Sequence, residues 1–377
     1  MNIAVNTRLL LPGKLDGIGW FTYETMRRIV SQHPEHHFYF IFDRNYDESM
    51  VFAGNVTPLI LRPSTRHPLL WYLWMEFRIP SLLRSIGADV FLSPDGFLSL
   101  RSRVPDCAVI HDINFEHRPG DLPLFSRAYY RYFFPRFARK ANRIATVSEY
   151  SRRDIINTYE LPEEKVDLVY NGANEVFNPV DEQVKEEVQV RYTGGNPYFV
   201  FVGNIHPRKN IRNLLRAFEL FREEYRKPFN LLLVGERFFL TREIEEQLQR
   251  MKHRSDVIFT GRLSPEELNR VLGSAWAMTF VPHFEGFGIP LVEAMRCDLP
   301  LIASNVTSVP EVAGDAALYV EPESPGTIRD AMIRLVREEG LREQLVEKGR
   351  QRRKRYSWDN TANELWKTIE KVLHGHA

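Results

Sequence analysis

Along this chain, short runs of β-branched and aromatic residues alternate with longer stretches whose apolar positions recur every three or four residues. That alternation predicts parallel strands wrapped by helices. In the first half it predicts strands over residues 3–6, 38–42, 57–61, 89–92, 108–111, 143–147 and 166–170, with helices over 20–31, 74–85 and 151–158. The pattern restarts at 198–203 and continues with strands over 230–235, 257–260, 277–281, 299–303 and 317–320. Between the halves, Gly172, Pro179, Gly194, Gly195 and Pro197 surround an acidic segment, and 171–197 reads as a hinge. The expected fold class is α/β: two doubly wound Rossmann-like domains, 1–175 and 180–356, with a cleft between them. A basic run at 350–355 leads through Tyr356-Ser357-Trp358 into a final helix over about 359–373. By pattern alone this helix either caps the second domain or crosses back onto the first.

Length agrees with the pattern, since 377 residues at ~150 per domain make two domains. Fifty Lys and Arg against forty-nine Asp and Glu leave a net charge of +1, unlike the field of a dedicated nucleic-acid binder. The two cysteines, Cys107 and Cys297, lack metal-ligand spacing, so neither a disulfide framework nor a zinc site is expected. No apolar stretch approaches the ~20 residues of a membrane span. The chain enters a strand at once without a leader-like segment, and a cytoplasmic location is expected.

In open parallel sheets, ligands bind beyond the carboxyl ends of strands. Four such places carry chemistry. In Asp16-Gly17-Ile18-Gly19, two glycines open a helix and let amides approach a phosphate; a plain tight turn explains them equally well, because the full dinucleotide fingerprint is missing. In Gly203-Asn204-Ile205-His206-Pro207-Arg208-Lys209-Asn210, adjacent cations at a helix start suit a diphosphate better than they suit a solvated loop. The third place runs from Glu285 through Gly286-Phe287-Gly288-Ile289-Pro290 to Glu293. Two carboxylates bracket a helix start there, and Gly-Phe-Gly removes side chains where a ligand would lie. The bland alternative is an acid favouring the helix dipole beside a solvated one. Fourth, His111-Asp112 ends a strand, where a hydrogen-bonded histidine is the ordinary alternative to a functional one. His33, His36 and His37 read as surface residues in a loop rather than a metal site. Asp-x-Asp, Gly-x-Ser-x-Gly and the Walker phosphate loop are all absent.

Together these residues resemble the retaining glycosyltransferases of the GT-B fold, in the large family 4 that includes bacterial mannosyltransferases and polysaccharide-assembly enzymes. The resemblance runs nearly end to end. It covers Gly17–Gly19, His111-Asp112, the segment 146–151, Asn171-Gly172, 203–210, Gly261-Arg262-Leu263, Glu285 with Glu293, 308–312 and Tyr356-Ser357-Trp358. The resemblance implies a transferase that uses a sugar nucleotide, with no cofactor and no metal. Arg208 and Lys209 would bind the donor diphosphate and stabilise the leaving group. Glu285 would hold the transferred sugar and Glu293 the ribose. Phe287 and Gly288 would offer amides, with Gly203 and Ile289 also on the donor. His111 would contact the sugar near the reacting carbon, and Gly17 and Gly19 would approach the phosphates. Gly235, Arg262 and Leu263 would lie by the base. The final helix, 357–377, would cross back to the first domain.

The resemblance implies transfer of a hexose, with mannose from GDP-mannose the family-level expectation, onto a glycan or polyprenyl-lipid-linked acceptor. The first domain would bind the acceptor. Within its arginine-rich segment 118–153, Tyr129, Tyr132, Phe133 and Phe137 are read as packing a helix against the sheet, while the arginines leave peripheral contact with an anionic membrane on the inner face of the plasma membrane open. Two rival readings remain at this point: a nucleotide-sugar epimerase of the same fold, and a non-catalytic sugar-nucleotide or glycan-binding protein.

Overall fold

The computed structural model of the chain describes residues 1–237 and 242–375. The chain forms two compact units, Met1–Gly172 together with the segment from Ser357 onward, and Ala173–Tyr356. The first unit is built on seven strands: β1 (Asn2–Asn6), β2 (His37–Phe42), β3 (Val56–Ile60), β4 (Val90–Ser93), β5 (Asp106–Val109), β6 (Arg143–Thr146) and β7 (Val166–Leu168). They lie in the order β3-β2-β1-β4-β5-β6-β7, every pair parallel. The second unit has β8 (Tyr198–Val202), β9 (Asn230–Val234), β10 (Val257–Gly261), β11 (Ala277–Phe280), β12 (Leu301–Ser304) and β13 (Ala317–Val320). Their order is β10-β9-β8-β11-β12-β13, again all parallel. Helices cover both faces of such a sheet, which is why β4, β5, β8 and β11 are buried at every position.

The segment expected to be a hinge contains a helix, Glu182–Thr193. The Asp181 carboxylate accepts from the Val184 amide at 2.8 Å, and Gly194 ends the helix at φ +64°. The acid and the glycine that suggest a linker are the two caps of this helix. The helix expected over 20–31 begins earlier, at Gly17, because Asp16 caps it and both glycines fall inside its first turn. The stretch expected over 74–85 is helical from Pro68, passing through one π-helical turn at Trp74–Arg78.

The last helix, Trp358–Leu373, belongs to the first unit. Thr361 donates to the Tyr170 carbonyl at 2.6 Å, Lys371 pairs with Asp167 at 2.5 Å, and Arg28 of the first helix pairs with Asp359 at 2.6 Å. A Cβ at Gly172 would meet the Trp358 backbone nitrogen at 2.4 Å, so the outgoing and returning chains pass at a distance only glycine permits. The final two residues of the expected 357–377 segment lie outside the described residues.

On the helix Leu124–Lys140, Tyr129 and Phe137 are buried and Phe133 packs partly against the core, as the pattern suggests. Tyr132 does not; it is exposed, with the Arg136 guanidinium 3.7 Å from its ring centre. Residues 129, 133 and 137 share a face with 130 and 134, whereas 132 and 136 pair one turn apart on the outer side.

Candidate functional site

In the second unit the strand order reverses between β8 and β11, and ligands bind at such a switch point beyond the carboxyl ends. The loop after β8 supplies Arg208 and Lys209, and the loop after β11 supplies Glu285. The three side chains meet on one atom. Arg208 Nη1 donates to Glu285 Oε2 at 2.9 Å, and Lys209 Nζ donates to the same oxygen. Oε1 of Glu285 has no partner among the described residues. Lys209 and Glu285 are almost enclosed, with the ammonium 5.0 Å from the centre of the Phe280 ring. Burial works against ionising Glu285, but the charges of Arg208 and Lys209 outweigh it and hold the carboxyl below its ordinary range.

The backbone around this cluster is held from several sides. His206 Nδ1 accepts from the Arg208 amide at 3.3 Å, and the Arg208 carbonyl accepts from the His283 amide at 2.8 Å. Asn210 takes φ +62° and its Nδ2 donates to the carbonyls of Val281 and Pro322, at 2.9 and 2.7 Å. Thr307 accepts from the Glu285 amide at 3.2 Å, and Ser308 donates to its carbonyl at 2.8 Å. Sequence reasoning assigned none of these supporting residues a role. His206, Asn210 and Ser308 fall within the segments that carry the resemblance, but side-chain-to-backbone bonds across strands leave no periodicity from which a role could be read.

Gly203 and Gly235 stand at φ +143° and +145°, and a Cβ on Gly235 would lie 2.1 Å from the Gly203 carbonyl oxygen. Their amides are committed, to the Val234 and Gly261 carbonyls at 2.9 and 3.0 Å. These glycines allow the loops after β8 and β9 to touch. Arg262, exposed, and Leu263 follow β10 at the same ends of the sheet.

The helix Ile289–Arg296 starts at Gly288, at φ +92°, with no side-chain cap. The Phe287 ring is buried edge-on to Tyr356, centroids 5.5 Å apart, so it packs the loop while its backbone lies at the helix start. Glu293, one turn in, has no side-chain partner among the described residues, and burial alone pushes its carboxyl up to about 8. The two glutamates flanking this helix start thus sit in opposite electrostatic settings.

The first unit reverses between β1 and β4. Arg8, just past β1, pairs with Asp95, just past β4, at 2.5 Å, and Asn6 donates to the other Asp95 oxygen at 2.9 Å. This buried pair escaped sequence reasoning because the two residues are far apart in the chain. His111 lies beyond β5, its Nε2 2.9 Å from the Pro94 carbonyl and its ring 5.0 Å from Phe21. Burial keeps it below its usual pKa, and the bond to a carbonyl places the proton on Nε2. Asp112 caps the turn at Asn114, accepting from that amide at 3.0 Å. Gly19 donates its amide to Asp16 at 3.0 Å, and a Cβ there would crowd the Leu9 carbonyl at 3.1 Å; Gly17 faces open space.

Two all-parallel Rossmann-like units, one with a cation pair at its switch point, have the architecture of the GT-B glycosyltransferases. The family described as "Glycosyltransferase Family 4" matches residues 15–177, and "Glycosyl transferases group 1" matches residues 183–352. With both halves matched, the chain belongs to the family 4 glycosyltransferases. It is 29% identical over 258 residues to "O-antigen chain mannosyltransferase B" of Escherichia coli, covering 67% of each chain. It is 25% identical over 295 residues to "O-antigen chain mannosyltransferase RfbU" of Salmonella typhimurium, covering 76% of this chain and 78% of that one. The fold superposes on Anabaena Alr3699/HepE in complex with UDP-glucose with a TM-score of 0.77 at 14% identity, over 98% of this chain and 100% of that one.

The Glu293 environment sets a sign for the pH dependence of stability. A carboxyl raised in the folded state stabilises fully below its unfolded pKa, near ~4.3, and that contribution is lost as pH rises through about 8. Glu293→Gln, which cannot ionise, should therefore raise the melting temperature of the ligand-free protein more at pH 9 than at pH 5. Equal shifts at both values, read by differential scanning calorimetry, would contradict the assignment.

Proposed function

We propose that this chain is a retaining hexosyltransferase that moves mannose from GDP-mannose to a glycan or lipid-linked acceptor in polysaccharide or lipopolysaccharide assembly. The observation that carries the proposal is the convergence of Arg208 and Lys209 on one oxygen of Glu285 at the switch point of the second unit. A fixed cation pair takes up the charge that develops on a departing nucleoside diphosphate, and it does so without reorganising. In this reading Gly288 and Ile289, at the uncapped start of their helix, face the donor phosphates and sugar. Glu293 accepts from the ribose hydroxyls, which supply the hydrogen bonds its carboxylate lacks. Arg262 and Leu263 border the base. Transfer needs no metal here, since the two side-chain cations carry out the charge neutralisation. Retention follows if the acceptor attacks on the face the phosphate leaves, a path that depends on orientation more than on a protein nucleophile.

The first unit binds the acceptor in this account, with the Arg8–Asp95 pair and neutral His111 as its polar groups. The mannosyl choice is supported by the relatives, which act as O-antigen chain mannosyltransferases. Neither an epimerase nor a non-catalytic binder is favoured by those relatives. Among the described residues no helix is long and apolar enough to cross a membrane. The exposed Leu69, Leu73, Phe77, Leu124, Phe125 and Tyr132, with Arg101 over Phe77 and Arg136 over Tyr132, support peripheral contact with anionic lipid.

Two measurements test these assignments. Lys209→Ala should weaken GDP binding, read by thermal shift, and lower transfer by roughly 10²–10³-fold. Glu285→Ala should abolish transfer while GDP binding is kept or tightened, because the counter-ion that competes with the phosphates is gone. Transfer surviving both substitutions would overturn the mechanism. For the membrane, the wild type should co-sediment with vesicles containing anionic phospholipid and Leu124→Ser/Phe125→Ser should not; equal sedimentation of the two would remove the apolar patch from the account.

A further inference from the structure

Away from the residues assigned to transfer, the loop between the first helix, Gly17–Gln32, and β2, whose histidines the sequence suggests are plain surface residues, gathers ligand atoms around Glu35. His33 Nδ1 lies 3.3 Å from Glu35 Oε1, and His36 Nε2 lies 3.4 Å from the same oxygen. The three ligand atoms all fall within 4.8 Å of one another. His37 is not part of the group; it opens β2 and bonds Thr57 at 2.9 Å, so the three histidines are not one surface loop. Trp366 of the last helix stacks on His33, centroids 3.7 Å apart and planes 18° apart, and lies 5.2 Å from the His36 ring. Both imidazoles are thereby held with a nitrogen toward the Glu35 carboxylate, their side chains only 22% and 15% exposed. Glu370, one turn beyond Trp366, adds a negative field at His36.

The spacings fit an ion as well as they fit hydrogen bonds. A charge-assisted N–H···O bond is typically ~2.7–2.9 Å long, shorter than either contact. Two ligands each ~2.0–2.1 Å from a tetrahedral zinc are separated by ~3.3–3.4 Å, the spacing found on both sides of Glu35. We propose that His33, Glu35 and His36 form a binding site for a divalent transition-metal ion of the zinc type, with water completing the shell. Two imidazoles and one carboxylate suit zinc, whereas magnesium and calcium prefer all-oxygen shells. The ion would stiffen the turn on which Trp366 rests, and so secure the returning helix to the first unit. It has no part in sugar transfer.

The test uses the full chain without an affinity tag, stripped with chelator and held above pH 7 so that the imidazoles are neutral. Zinc should bind at one ion per chain and raise the melting temperature, while excess magnesium should do neither. Cobalt(II) should give the strong visible absorption of a tetrahedral nitrogen–oxygen site. Glu35→Gln, at an exposed position, should weaken zinc binding by about tenfold or more, and His33→Gln/His36→Gln should abolish it, with circular dichroism confirming that both variants fold. A wild-type chain that retains no zinc after dialysis, or a double variant that binds as the wild type does, would overturn the proposal.

Discussion

One carboxylate oxygen shared by two cations is the interaction on which the catalytic account depends. Placing Arg208 and Lys209 side by side in a nearly closed setting is costly by itself, because like charges repel and both lose water. Glu285 offsets that cost in the ligand-free protein and fixes both side chains at the switch point. The arrangement keeps one net positive charge in place before any ligand arrives. It also makes Glu285 an acid that stays ionised although buried, with one oxygen still available.

The sheet around the cluster makes the arrangement possible. Because β8 and β11 are neighbours while their onward connections run in opposite directions, the loops leaving them meet at the switch point, where the Arg208 carbonyl accepts from the His283 amide and Glu285 reaches both cations. On the other side of β8, the loops after β8 and β9 also press together, through Gly203 and Gly235. Glu293, half-buried and without a side-chain partner among the described residues, has its carboxyl pushed up to about 8 by burial.

Strand positions were largely legible in the chain, because buried parallel strands appear as short uninterrupted β-branched runs. The charged residues at strand ends were legible as motifs. Three things were not. Asp181 and Gly194 resemble linker residues whether they join domains or cap a helix, so Glu182–Thr193 was hidden in the expected hinge. Tyr132 belongs to an aromatic-rich helix in which every position is a candidate for the core, and only the angular placement of 129, 133 and 137 separates it. The Arg8–Asp95 pair and the supports of Glu285 from Thr307 and Ser308 depend on contacts between distant segments, which no local pattern records. At Gly203 and Gly235 the close approach of the two loops by itself calls for glycine.

A crystal structure of the protein with GDP bound tests the central claim most directly. The account predicts both phosphates within hydrogen-bonding distance of Arg208 and Lys209, Glu293 on the ribose hydroxyls, and Glu285 turned from the cations toward the vacant sugar position. A nucleotide held elsewhere, with the Arg208–Lys209–Glu285 cluster unchanged from the ligand-free arrangement, would contradict it.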